Sequence, residues 1–391
     1  MKNKQKRWIA LLVSMLLLLM TAIPASAEFD GEVLVGCTVM LTGPNQLTGS
    51  YYKNGVQMAI DEINAAGGIL GKEIVIEYAD EGSDPQTAVN ACQKLISKDV
   101  ACIFGSTTST NCKAMMPSIL EAEIPYFADG SNPTMADEGA PWLWQVRVRD
   151  SLTAPIMADV FANDVGVKNP AIVYGTAEST TLATETFVKT YEEMGLEVDQ
   201  KNMYAVIETE TNFTNIIAQI MESDCDGVYA QIVNADQAVV FAQQLLAAGY
   251  NGPKMGNSVF CSPEVRNADP AAAEDWYIIV EWSSSLIDVE LPAEIPQQAV
   301  DFETKFRETY GMASSASSAQ GYDMVYLFKQ ACEIAGTTED RAAINEGFKQ
   351  IDYQGAGNKY EYHDNNTITT YILAVQNKGG EAVPSMVIPT I

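Results

Sequence analysis

Apolar and polar positions along the chain alternate between two periods, with short strand-like runs giving way to helical ones. Val33 to Leu41 reads as an apolar strand, followed by a Thr42-Gly43-Pro44 loop. Val56, Ala59, Ile60 and Ile63 then recur at helical spacing, and Gly67-Gly68 supplies the left-handed backbone that ends a helix. Ile74 to Tyr78 is a second strand. Asp84-Pro85 provides an N-cap and a proline at the first helical position, opening a helix whose apolar face is Ala88, Cys92, Leu95 and Ile96. Val100 to Phe104, Asn111 to Glu121 and Pro125 to Ala128 continue as strand, helix and strand. This βαβ repetition predicts a parallel sheet covered by helices on both faces.

The pattern restarts after Trp142 to Val148. Helices are predicted at Ser151 to Asn163, Leu182 to Met194, Phe213 to Met221 and Ala235 to Ala248, interleaved with strands at Ala171 to Tyr174, Met203 to Ile207 and Gly227 to Val233. Trp276 to Glu281 is one more strand. Three mostly helical segments follow, at Pro296 to Tyr310, Ala316 to Ala335 and Thr338 to Gln350, before closing strands near Lys359 to Tyr362 and Thr369 to Val375. The chain therefore reads as two similar α/β halves with a helical supplement.

The first 27 residues have a separate character. Lys2, Lys4, Lys6 and Arg7 precede an apolar run from Trp8 to Met20 and then Ala25-Ser26-Ala27, the arrangement of a secretory signal peptide cleaved after Ala27. The run is shorter than the roughly 20 apolar residues a membrane-spanning helix needs, and no Cys follows the site to take a lipid. A periplasmic or secreted protein is expected. The 391 residues less this leader suffice for two domains of roughly 100 to 200 residues each.

Net charge is −28, from 23 Lys and Arg against 51 Asp and Glu. Such a balance repels phosphate backbones, because nucleic-acid affinity depends on cationic side chains displacing counterions, so nucleic acid is not an expected partner. The seven cysteines lack CxxC spacing and signal neither a zinc site nor a redox pair. Several fall on apolar faces, where free Cys packs as a small hydrophobe, and at most one disulfide is expected. No cofactor or metal is called for.

In open parallel sheets, ligands bind beyond the carboxyl ends of the strands, so the strand-end loops are the places to look for chemistry. After Val100 to Phe104 comes Gly105-Ser106-Thr107-Thr108-Ser109-Thr110, running straight into a helix. Its hydroxyls and the free N–H groups of the helix start suit a carboxylate. At the next strand end stands Asp129-Gly130-Ser131, where a carboxylate and a hydroxyl can accept hydrogen bonds from an ammonium or an amide. Together the two loops suit a dipolar solute. From the second half, Gly175 to Thr181, Asn234 with Asp236, and Asn257-Ser258 could close over it.

The order and spacing of Leu41-Thr42-Gly43-Pro44, Gly55-Val56, Ala59-Ile60-Asp61-Glu62-Ile63-Asn64-Ala65-Ala66-Gly67-Gly68-Ile69-Leu70-Gly71, Asp84-Pro85 and Asn132-Pro133 resembles the type I periplasmic binding proteins of ABC importers, closest to the leucine/isoleucine/valine-binding branch. The resemblance implies two Rossmann-like lobes with parallel sheets flanked by helices, joined by three hinge crossovers near Arg147 to Asp150, Trp282 to Ser285 and Asp352 to Gln354. Residues 28–149 plus 283–352 would form one lobe and 150–282 plus 353–391 the other. It further implies a monomer that closes on a small solute and delivers it to a membrane permease.

Carried over by position, the resemblance puts Ser106, Thr107 and Thr108 at the ligand α-carboxylate and Asp129, Gly130 and Ser131 at the α-ammonium. Thr48 stands where the family often has an aromatic ring over the ligand. Ser179-Thr180 replaces a usual Tyr-Gly, and Asn257-Ser258 occupies a place often held by an acidic residue. Beside a branched-chain amino acid, the substitutions leave open another amino acid, a short amide or urea-like solute, or an aromatic carboxylate. A ligand-sensing receptor subunit would share this design. An enzyme is the rival class, but the single histidine, His363, assembles into no Ser-His-Asp, Cys-His, HExxH or P-loop arrangement.

Overall fold

The computed structural model describes residues 29–288, 295–362, 366–368 and 371–389. The proposed leader and His363 lie outside these residues. Two sheets organise the molecule. The first has five parallel strands in the order Glu73–Asp80, Glu32–Val39, Ile103–Phe104, Tyr126–Ala128 and Leu143–Gln145. The second has seven, in the order Glu381–Pro389, Tyr371–Lys378, Trp276–Val280, Lys254–Gly256, Gly227–Gln231, Pro170–Gly175 and Met203–Val206. Its last five strands in that order are parallel. The closing hairpin adds an antiparallel edge, which the βαβ reading had not anticipated. A hairpin can add strands to a sheet without any crossover helix, so no helical period announces it.

Local chemistry sets the helix ends much as the sequence suggests. Asp84 caps the helix Pro85–Ile96 by accepting from Thr87 N at 2.9 Å, with Pro85 in the first turn. The long helix Gln46–Ala65 stops where Gly67 and Gly68 take φ of 105° and 75°. It packs along the helix Ala316–Ala335, and here Gly55 is essential: a Cβ at this position would sit 1.9 Å from Ser318 O.

Each sheet is buried between helices. Around the first, Val35, Phe104, Phe127 and Trp144 pack with Phe328 and Phe348 from the later helices. Around the second, Phe187 stacks on Tyr229 at 3.9 Å between ring centroids, and Phe260 on Trp276 at 4.1 Å. Burying one such ring removes enough apolar area from water to contribute about 1.5–3 kcal/mol. All seven cysteines are free, six of them buried.

Two assignments along the chain shift. Residues 353–391 were expected with the second sheet, but Tyr360 and Ile368 belong to the first sheet's core, and Gln145 N donates to Asn366 O at 3.1 Å. The short hairpin Asp352–Gln354 with Lys359–Glu361 is anchored there by Asp323, which accepts from Ala356 N, Gly357 N and the Tyr360 hydroxyl. Helix Gln297–Tyr310, expected with the first lobe, shares a core with Trp282 and Val280 of the second and with Tyr51 of the first. Apolar contacts across the chain decide these placements. Among the described residues no helix is long and apolar enough to cross a membrane.

Candidate functional site

The carboxyl ends of both sheets face a common cleft, and the chain crosses between them through Arg147 to Asp150. This segment divides the cleft. Arg147 Nη2 donates to Ser258 Oγ at 2.5 Å, and on either side of that bridge lies a small chamber that connects to solvent, one of about 120 Å³ and one of about 80 Å³. Thr107, Thr108, Val233 and Val259 line both chambers.

The inner chamber takes its charge from the crossing strands. Arg147 lies 3.8 Å from Glu281, whose carboxylate also accepts from Val148 N. Asp150 accepts from the Ser131 hydroxyl at 2.9 Å. Burial pushes the Asp150 carboxyl up to about 6, against the pull of Arg147 and the Ser131 hydrogen bond. Two helix starts open into the same space: Ser109 and Thr110 begin the helix Ser109–Glu121, while Ser179 and Thr180 begin Glu178–Glu193. Neither N-cap residue, Thr108 or Ala177, caps its helix with a side chain. Their first-turn N–H groups have no helical partner and carry partial positive charge.

The outer chamber is framed by Thr48, Trp282, Gln320 and the helix Pro263–Ala268. Thr48 donates to Glu264 at 3.1 Å, joining the first long helix to the second sheet's side of the cleft. At the rim, Lys113 Nζ reaches Glu178 at 2.8 Å across the opening.

Of the residues singled out in the sequence, Thr48, Thr107, Thr108, Ser131, Ser179, Thr180 and Ser258 line one or both chambers. Ser106, Asp129, Gly130 and Asn234 line neither. Ser106 is buried and donates to Glu81 at 2.5 Å, so it supports the Thr108 loop from behind by accepting from Thr108 N. Asp129 is 1 % exposed and faces the Gln320 side-chain amide, whose nitrogen donates to it at 2.9 Å when the amide is oriented with N toward the carboxylate. Burial holds its carboxyl well above the usual range, with Arg147 opposing. Gly130 supplies a carbonyl to Gln145. Asn234 caps the helix Ala235–Ala247.

The reading of strand-end loops missed Glu281 and Glu264, and took Arg147 and Asp150 only as hinge. A signal was present: in so acidic a chain, Arg147 and Arg149 beside Asp150 directly follow a buried strand, where an unpaired charge would be costly. Among the described residues no group of three His, Cys, Asp or Glu could hold a metal ion.

The profile of a family described as periplasmic binding protein matches residues 32–381. The chain belongs to that family. Among its relatives is a Leu/Ile/Val-binding protein homolog 3 of Brucella melitensis, 21% identical over 82% of this chain and 83% of the relative. Among solved structures, a leucine binding protein of Thermotoga maritima superposes with a TM-score of 0.83 at 21% identity, covering 91% of this chain and 98% of that one. A solute binding protein of an ABC transporter from R. palustris, in complex with benzoate, gives 0.81 at 19%, covering 91% and 96%. These superpositions show that this periplasmic binding protein shares the fold of both structures, with parallel sheets flanked by helices. Its named relatives are solute-binding proteins rather than enzymes.

Proposed function

We propose that this chain is the extracytoplasmic solute-binding subunit of an ABC importer, that it captures an α-amino acid in the inner chamber, and that it hands the ligand to a membrane permease. One observation carries this reading. Two uncapped helix starts on opposite walls, with Arg147 between them, suit a carboxylate, while Asp150 and Glu281 beside them suit an ammonium. A plain aromatic acid would meet the donors but bring no cation of its own, so Arg147 would have to balance its carboxylate as well as Asp150 and Glu281. Ligand contacts to both walls would favour the closed arrangement by differential affinity, the hinge mechanism that the crossovers allow.

Native mass spectrometry of freshly purified protein, followed by calorimetry with a panel of amino acids, amides and aromatic acids, tests the assignment. Heat release with at least one α-amino acid, and loss of that binding when the ligand's amine is acetylated, is the expected result. Binding confined to ligands without an amine refutes it.

A further inference from the structure

The outer chamber shows what kind of amino acid side chain it accepts. Its walls contribute Met40, Val233, Val259, Val280 and Trp282, room for a run of methylenes leading away from Arg147. Its polar groups are mostly committed. Arg266 donates through Nε to Cys261 O, through Nη1 to Gly380 O and Glu381, and through Nη2 to Ser284, so four of its five N–H hydrogens are already spent on the fold. Ser314 is bound to Glu303 and to the Trp282 indole, and Ser315 caps its own helix. Glu264 differs. One of its oxygens accepts from Thr48, and the other is buried without a partner.

A partly apolar chamber with the Glu264 carboxylate in its wall, one oxygen of which is unpaired, discriminates by what it leaves unsatisfied. A branched hydrocarbon side chain would fill the space and strand that oxygen away from water, whereas an N–H donor at the end of a flexible stem would satisfy it. We propose that Glu264 is a specificity-determining residue, and that the ligand is an amino acid whose side chain ends in a nitrogen donor, an amide or an ammonium, rather than leucine, isoleucine or valine. Thr48 holds the Glu264 carboxylate in position from across the cleft. The proposal rests on the amino-acid reading of the inner chamber.

Calorimetry on the wild-type protein with glutamine, lysine, leucine, isoleucine, valine and 4-hydroxybenzoate tests it, alongside Glu264→Leu, with circular dichroism to confirm that the variant is folded. Glutamine or lysine should bind at least tenfold tighter than any branched-chain amino acid, and Glu264→Leu should erase that preference. Leucine, isoleucine or valine binding as tightly as glutamine and lysine overturns the role of Glu264 and leaves the amino-acid reading intact. If no amino acid binds, or 4-hydroxybenzoate binds tightest, both fall. Should the variant not fold, the wild-type ranking alone decides.

Discussion

The two walls of the cleft contribute polar groups at similar strand ends but keep them in different states. Both walls present an uncapped helix start, but on the first sheet's side the Thr107 hydroxyl also has no partner. On the second sheet's side, Thr180 bonds Gly175 O and Ala177 O, and Asn234 spends its side chain on Gln237 N and Glu208 O. Similar residue types in similar loops are available for a solute in one wall and consumed by the fold in the other. Charge comes from neither set of loops but from the segments that cross between them.

The largest effect should come from the crossing itself. Arg147→Ala leaves Asp129, Asp150 and Glu281 facing one another without their cation, and losing one partner of a largely buried charge group costs on the order of 3 kcal/mol. Urea melts should show that loss, and calorimetry should show at least a hundredfold weaker binding of whichever amino acid the wild-type protein takes. A variant that melts and binds normally would place the charge centre elsewhere.

A smaller effect concerns pH, and its sign differs for binding and stability. Asp150 is ionised at pH 7 and takes up a proton as pH falls through about 6, so affinity for an ammonium should drop between pH 7 and 5. Its folded value lies above the ordinary carboxylate value near 3.9, so the folded state binds the proton more readily than the unfolded chain. This group therefore opposes folding at pH 7 and ceases to do so as pH falls toward 4. Glu81 and Asp323, both pushed up to about 7 by burial, act in the same direction. Asp150→Asn should flatten the affinity profile, which calorimetry across pH 5 to 8 would reveal; an unchanged profile would exclude Asp150 as the ammonium partner.

The smallest effect belongs to the second wall. Asn234→Ala removes a helix cap and should cost about 1 kcal/mol in thermal or chemical melts while leaving ligand affinity unchanged. A loss of affinity without a loss of stability would reverse the contrast between the walls.

Much of the fold was legible because it is repetitive. Asp84-Pro85, Gly67-Gly68 and the apolar spacing of Val56, Ala59, Ile60 and Ile63 act within one turn of chain, and the elements form where those signals stand. The hairpin at Tyr371–Lys378 and Glu381–Pro389, and the seating of Tyr360 in the first core, depend on partners far away in sequence. The site was legible in part for the same reason. Thr108 and Ser131 follow from their strand ends, but nothing nearby in sequence distinguishes Ser131, which lines the chamber, from Asp129, which turns inward to Gln320. Glu264 was invisible because its meaning depends on Thr48, 216 residues away.

The sequence by itself determined the alternation of strand and helix, the acidity that disfavours nucleic acid as a partner, and the loops at which a solute could be held. Those properties are set by neighbours along the chain or by a sum over it. Tertiary structure alone decided which polar groups are left over for a ligand. Whether a hydroxyl or carboxylate already has a partner depends on groups that folding brings within about 3 Å of it, and most of those lie tens or hundreds of residues away.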